Sequence, residues 1–202
     1  VILLFLLFWS QVPGQSHHGH HRDAAEWKRI LEDPSRDAWQ KPHEVVMALS
    51  LRAGETIADI GAGSGYFSRR FARHAGTVYA EDIDPKLIEL LQTGAPKNVQ
   101  TVLGSPDDPK LPPAALDTVF ICDVLHHIEN RTAYYPKLKA ALKPGGRIVI
   151  VDFHKRPLPV GPPPAMKIEE ADVVRELAAA GFTLTKKWEM LPHQYFLEFR
   201  VK

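Results

Sequence analysis

The run Thr56-Ile57-Ala58-Asp59-Ile60-Gly61-Ala62-Gly63-Ser64-Gly65-Tyr66-Phe67 reads as a short apolar strand, a glycine turn and the start of a helix. Glycines at 61, 63 and 65 let the chain bend sharply. They also leave backbone N–H groups bare to a ligand that any Cβ would hold off. The helix that follows presents its positive N-terminal end to the same place. A dinucleotide fingerprint would carry its third glycine at position 66, where this chain has Tyr66, so the spacing is Asp-x-Gly-x-Gly-x-Gly instead. That departure disfavours a nicotinamide-dependent dehydrogenase.

Outward from this loop, short apolar runs alternate with helical segments. Strands are expected at 56–60, 77–81, 98–102, 117–122 and 147–152, with helices at about 65–74, 85–93, 130–142 and 168–180. Such alternation predicts an α/β fold, a parallel sheet wound with helices on both faces. At the C-terminal end Phe182 to Trp188 and Gln194 to Val201 are strand-like and separated by only Glu189-Met190-Leu191-Pro192-His193. Five residues cannot carry a helical crossover, so these two strands should form an antiparallel hairpin that completes a seven-stranded sheet. The Pro-rich stretch Pro157 to Pro164 reads as an extended loop at the sheet's rim.

The N-terminal part divides in two. Residues 1–22 hold nine apolar residues, Val1 to Trp9, then a polar stretch of small residues, then His17, His18, His20 and His21. The apolar run resembles a secretory h-region and is too short to span a bilayer, which needs about 20 residues. The histidines follow no tetrahedral zinc spacing and read as a solvated tail, so no metal site is expected. From 23 to 202 the chain reads as one domain. Its entry segment, 23–50, is helical: Ala24, Ala25, Trp27, Ile30 and Leu31 recur at helical spacing until Pro34, and a second helix after Pro42 carries Val45, Val46, Ala48 and Leu49.

Composition narrows the function. Lys plus Arg number 25 against 24 Asp plus Glu, a formal charge of +1, which encodes no broad basic surface for nucleic acid. The single cysteine, Cys122, excludes an internal disulfide and any cysteine-rich metal site, and within an apolar strand it reads as a small core residue.

Two more stretches fall at the carboxyl edge of the sheet. Val78-Tyr79-Ala80-Glu81-Asp82-Ile83-Asp84-Pro85 ends the second strand with acids able to accept from two ribose hydroxyls. Register favours Asp82, with Glu81 the fallback and Asp84 a competitor. Leu103-Gly104-Ser105-Pro106-Asp107-Asp108-Pro109 follows the third strand, where an acid can accept from an adenine amino group.

Taken together, these stretches resemble the class I S-adenosylmethionine-dependent methyltransferases, small single-domain members of the type 11 kind, from about Trp39 to the C-terminus. The resemblance implies a Rossmann-like class I methyltransferase fold, with S-adenosylmethionine as cofactor and S-adenosylhomocysteine as product. It implies that Asp59, Gly61, Gly63 and Gly65 face the methionine portion, with Tyr66 bordering the methyl end. Asp82 and Ile83 then lie at the ribose, and Ser105, Pro106 and Asp107, or Asp108, at the adenine. Asp123, Gln40 and the 23–50 lid, where Trp39 and Pro42 also lie, close the site. Leu116 to Asp123 matches the fourth strand and Leu142-Lys143-Pro144-Gly145-Gly146-Arg147 the turn before the fifth. Pro106 departs from the family pattern because it has no N–H to give, so adenine recognition falls to Asp107.

A sulfonium methyl is already activated, so positioning the acceptor is the protein's main task, worth about 7–11 kcal/mol in near-attack geometry. Where the acceptor must lose a proton, His126 and His127, just past the fourth strand, and His154, after the fifth, are the candidate bases. The short Pro-rich segment favours a small-molecule acceptor over nucleic acid. The second reading is an exported binding or scaffold protein that keeps the fold without catalysis. The signal-like start points to export and the cofactor to the cytoplasm, and the acceptor atom and oligomeric state are open.

Overall fold

In the computed structural model, residues 24–202 are described; the expectations for the signal-like segment and the His-rich tail lie outside them. Seven strands form one sheet in the order β3-β2-β1-β4-β5-β7-β6. They are β1 (Thr56–Ile60), β2 (Thr77–Asp82), β3 (Val99–Leu103), β4 (Leu116–Cys122), β5 (Leu142–Phe153), β6 (Phe182–Trp188) and β7 (Gln194–Val201). The first five run parallel; β7 pairs antiparallel with both β5 and β6, as the short connection at 189–193 requires. Strand order reverses between β1 and β4, the two central strands, which opens a crevice at their carboxyl ends.

The helices are α1 (Ala24–Leu31), α2 (Asp37–Gln40), α3 (Pro42–Leu49), α4 (Ser68–Phe71), α5 (Pro85–Gln92), α6 (Arg131–Ala141) and α7 (Glu170–Ala179). Period-two alternation sorts the strand residues between two apolar layers. Ala58, Ile60, Val119, Ile121, Ile148 and Ile150 pack with Tyr135, Leu138, Val173 and Leu177 of α6 and α7. Ile57, Phe120, Val149 and Val151 pack on the opposite face with Val45, Val46 and Leu49 of α3 and with Phe67 and Phe71. Phe71 and Phe120 are both fully buried and meet edge-on at 5.0 Å.

Two elements differ from expectation. The helix after the glycine loop shrinks to α4 because i→i+3 bonds, Arg70 N to Phe67 O and His74 N to Phe71 O, interrupt the α-helical ladder on both sides. Strand β5 starts five residues early because Leu142 pairs with Leu116, and an irregularity between Leu116 and Thr118 absorbs the Lys143–Gly146 turn. No helix among the described residues is long and apolar enough to cross a membrane.

Candidate functional site

The crevice is built on the glycine turn. Gly61, Gly63 and Gly65 have φ of +66°, +57° and +90°, a region that side chains rarely enter. At Gly61 the restriction is also spatial, since a Cβ there would lie 2.3 Å from Val124 Cγ2. The turn is held from the neighbouring strand: Ala62 N donates to the Glu81 carbonyl at 2.7 Å, Gly63 N to Asp82 Oδ2 at 2.8 Å and Gly61 N to Glu81 Oε2 at 3.3 Å.

The two acids of β2 therefore have different roles. Asp82 has both oxygens engaged by backbone, Oδ2 with Gly63 N and Oδ1 with Asp84 N at 3.0 Å. Glu81 is 1% exposed, and its Oε1 has no hydrogen-bond partner. It reaches over Gly104, whose absent Cβ would fall 1.8 Å from that oxygen. Both acids line one cavity together with Ile60, Ile83, Ser105 and Pro106, closed on its far side by His127 and Tyr134. An adjoining cavity holds Asp59, Tyr66, Cys122 and Arg36, and Gly61, Gly63, Asp123 and Val124 line both.

The other expected site residues lie elsewhere. Gly65 faces an outer hollow with Arg69 and Arg70. Asp107 is exposed and accepts from Ser105 Oγ at 2.8 Å. Gln40 is fully buried as a brace, donating from Nε2 to Gln194 Oε1 at 2.8 Å and to Cys122 Sγ at 3.4 Å. His154 sits beside Tyr195 on a separate rim hollow. His126 is buried away from the cavity, its Nδ1 2.9 Å from Asp152 Oδ1; a carboxylate only accepts, so Nδ1 carries the proton. His127 packs on His126 with ring centroids 4.1 Å apart and planes tilted by 44°, and of the three histidines it alone lines the cavity.

Burial governs the electrostatics here. It pushes Asp59 up to about 7, against the hydrogen bond from Ser68 Oγ at 2.5 Å, and Glu81 up to about 8, against the Gly61 N–H. Burial, then the nearby Asp152 charge, pushes Asp123 up to about 7; Asp82 is raised by burial too. For His127, burial and then His126 lower the pKa, so the ring facing the cavity is neutral at pH 7. Without ligand, this floor of carboxylates is held protonated well above the usual range.

Stability should follow from those shifts. Each acid binds its proton more tightly folded than unfolded, so its contribution is complete below about pH 4 and lost as pH rises through 7 to 8. We expect the melting temperature of the ligand-free protein to fall steadily between pH 5 and 8.5. A melting temperature that climbs across that interval in differential scanning calorimetry would contradict the protonated floor.

Sequence reading missed Arg36, Val124, Tyr134 and Asp152. Only Asp152 carried a signal, as the first charged residue after Ile148-Val149-Ile150-Val151 at the sheet's carboxyl edge. Among the described residues no group of three or more His, Cys, Asp or Glu is placed to hold a metal ion.

A sheet that reverses order at β1/β4, a bare glycine turn there and a buried acid with a free oxygen on the adjoining strand define an α/β protein with an open crevice at the carboxyl edge, the place where open α/β sheets bind their ligands. Comparison with known proteins narrows that class. Residues 58–150 match the Methyltransf_11 family model, described as a methyltransferase domain, and the seven-stranded sheet has the Rossmann-like fold of class I methyltransferases. A solved S-adenosylmethionine-dependent methyltransferase from Aquifex aeolicus superposes with a TM-score of 0.81 at 24% identity, covering 90% of this chain and all of that one. A demethylmenaquinone methyltransferase of Tropheryma whipplei (strain Twist) is 30% identical over 107 residues, 52% of this chain and 44% of that protein. A tRNA U34 carboxymethyltransferase of Colwellia psychrerythraea is 35% identical over 140 residues, 66% of this chain and 39% of that protein. The chain thus spans less than half the length of these two relatives.

Proposed function

We propose that the chain is an S-adenosylmethionine-dependent methyltransferase acting on a small-molecule acceptor. The observation that carries the reading is the free Oε1 of Glu81, a buried acceptor facing a cavity beside bare glycine N–H groups. Such an oxygen meets the need of a ribose diol, which must donate when it leaves water. Bound there, the cofactor supplies a methyl group on a positively charged sulfur. The chain supplies the rest. Asp59 and Asp123 offer negative charge to the ammonium and sulfonium once they release their protons, and Asp82 braces the turn. Ile83, Pro106 and Tyr134 give the adenine an apolar slot. His127, neutral and facing the cavity, takes a proton from the acceptor where one must leave, and Asp152 fixes His126 behind it.

Two features support a small acceptor: a near-zero formal charge, and surface cations committed to ion pairs, such as Arg52–Glu55, Lys143–Asp117 and Lys187–Glu170. Since one relative is named for tRNA, tritiated methyl transfer should be assayed in parallel with a demethylmenaquinol and with bulk tRNA. Label in tRNA alone would overturn the small-molecule part.

The cofactor assignment has its own test. By calorimetry, Glu81→Gln should weaken S-adenosylhomocysteine binding about 10- to 100-fold at pH 9, the range for hydrogen bonds to a charged group. At pH 6.5 the gap should narrow, because Glu81 itself is then protonated and resembles glutamine. Equal affinities at pH 9 would remove Glu81 from the ribose site.

A further inference from the structure

The two edges of the sheet are built differently. At one edge β6 carries Lys186 and Lys187 and a register shift between Leu184 and Lys186, the charges and irregularity that keep an edge strand from taking a partner. At the other edge β3 reads Val99-Gln100-Thr101-Val102-Leu103, with no charge, no proline and an unbroken register along β2. Its phase is fixed at both ends: Val78 N donates to the Asn98 carbonyl at 2.9 Å, and Gly104 N to the Asp82 carbonyl at 3.0 Å. In a parallel ladder every second residue bonds the neighbouring strand, so 98, 100, 102 and 104 face β2, while the backbone groups of Val99, Thr101 and Leu103 face outward. Val99 N is satisfied by the Pro96 carbonyl at 2.9 Å. The N–H and C=O of Thr101 and Leu103, and the C=O of Val99, therefore stand on the open edge. Gln92 Nε2 donates to Thr101 Oγ1 at 2.7 Å, which puts the side chains of this outward set on the α5 face, and Leu103 is 46% exposed there.

This edge is complementary to itself. Set antiparallel to a second copy with Thr101 on the twofold axis, it brings Thr101 against Thr101, Val99 against Leu103 and Gln100 against Val102. The outward set then occupies the hydrogen-bonded positions of an antiparallel ladder: the two Thr101 residues exchange N–H···O=C bonds, and each Leu103 N donates to the opposite Val99 carbonyl. The facing side chains are threonine on threonine and apolar on apolar, pairings that stabilise a ladder. The ends match in charge as well. Lys97 is exposed and in no ion pair; in this register it meets Ser105 of the other copy, whose Oγ donates to the exposed Asp107 carboxylate at 2.8 Å. We propose that β3 pairs with β3 of a second copy of this chain, joining two sheets into one. The contact is isologous, so it closes at the dimer and leaves the guarded β6 strands at the outer edges. Ser105 and Pro106, which line the crevice, follow β3 directly, so the pairing pins the strand end from which that loop departs. The inference does not depend on the proposed cofactor. A strand pair of this length is a small interface, with a dissociation constant on the order of 10 µM.

Sedimentation velocity on the full chain should show monomer converting to dimer between about 1 and 200 µM. Thr101→Pro removes an outward N–H, a change that an edge strand tolerates, and should weaken the dimer about 10-fold or more. Lys97→Glu should weaken it about threefold, and adding Asp107→Lys to that variant should restore it, a reversal that damage within one chain would not give. Thr101→Cys tests the register. Its two thiols meet at the axis with Cα atoms about 5.5 Å apart, within disulfide range, so diamide should cross-link two chains. Thr183→Cys on β6 should stay uncross-linked, and the native Cys122 is buried. A chain that remains monomeric at about 200 µM overturns the pairing. So does self-association that survives Thr101→Pro, or cross-linking as efficient at position 183 as at 101, since either would put the contact elsewhere.

Discussion

Gly61→Ala is expected to abolish measurable S-adenosylhomocysteine binding, a loss of at least about 100-fold, while the protein still folds. The left-handed conformation at φ +66° costs an alanine about 1–2 kcal/mol. The Cβ would also sit 2.3 Å from Val124 Cγ2 and 2.9 Å from Cγ1, well inside contact distance. Val124 follows Asp123 and lines both cavities, so it has little room to retreat without disturbing the corner after β4. The turn must shift instead, carrying with it the Gly61 and Gly63 N–H groups and their anchors on Glu81 and Asp82. Gly94→Ala is the control: φ there is +70°, yet nothing lies within 4 Å of the added carbon. It should cost about 1 kcal/mol of stability and leave calorimetric affinity unchanged. Similar binding by the Gly61→Ala and wild-type proteins would mean that the ligand does not rest on this turn.

The largest loss of stability is expected from Asp152→Ala. Asp152 is fully buried and accepts from His126 Nδ1 at 2.9 Å, from the His126 backbone N at 3.3 Å and from Phe153 N at 2.8 Å. Alanine leaves all three donors without this acceptor. Removing one partner of a buried, hydrogen-bonded pair costs about 3–5 kcal/mol, and urea denaturation should show a loss of that order. Asp152→Asn keeps one oxygen as an acceptor and should lose roughly half as much. A loss below about 1 kcal/mol for alanine would show that water or a rearranged His126 takes over. The effect bears on the site, because His126 is what the tilted His127 ring packs against at the cavity wall.

Much of the fold was legible from local pattern. The five parallel strands and the hairpin lie within a few residues of where apolar runs and loop length put them, apart from the early start of β5, because the central strands are buried on both faces and read as short continuous apolar runs. Helix α4 was not legible, since its truncation depends on mixed hydrogen bonding around Phe67 and Phe71 rather than on the apolar pattern. At the candidate site the glycine turn was plain, but the acids of β2 were not separable. Alternation sends Glu81 and Asp82 to opposite sides of a flat strand, yet at the strand's end the backbone turns and both reach one cavity. Which keeps an oxygen free depends on Gly63, Asp84 and Gly104, and no spacing rule encodes that. Arg36 was silent for a similar reason, its carboxylate partner standing 87 positions away, and Asp152 showed only as the charged end of an apolar run, with its imidazole partner 26 positions away.

The bond between Gln40 and Gln194 joins residues 154 positions apart, one beside the entry turn and the other opening the last strand. A nascent chain emerging from the ribosome can form the first five strands and the glycine turn while this partner is still unmade. The Gln40 tether is therefore added only after β7 has inserted beside β5, whereas the Arg36–Asp123 and Tyr66–Asp37 contacts need only the earlier strands, so the entry segment is fastened in two stages as the molecule is made.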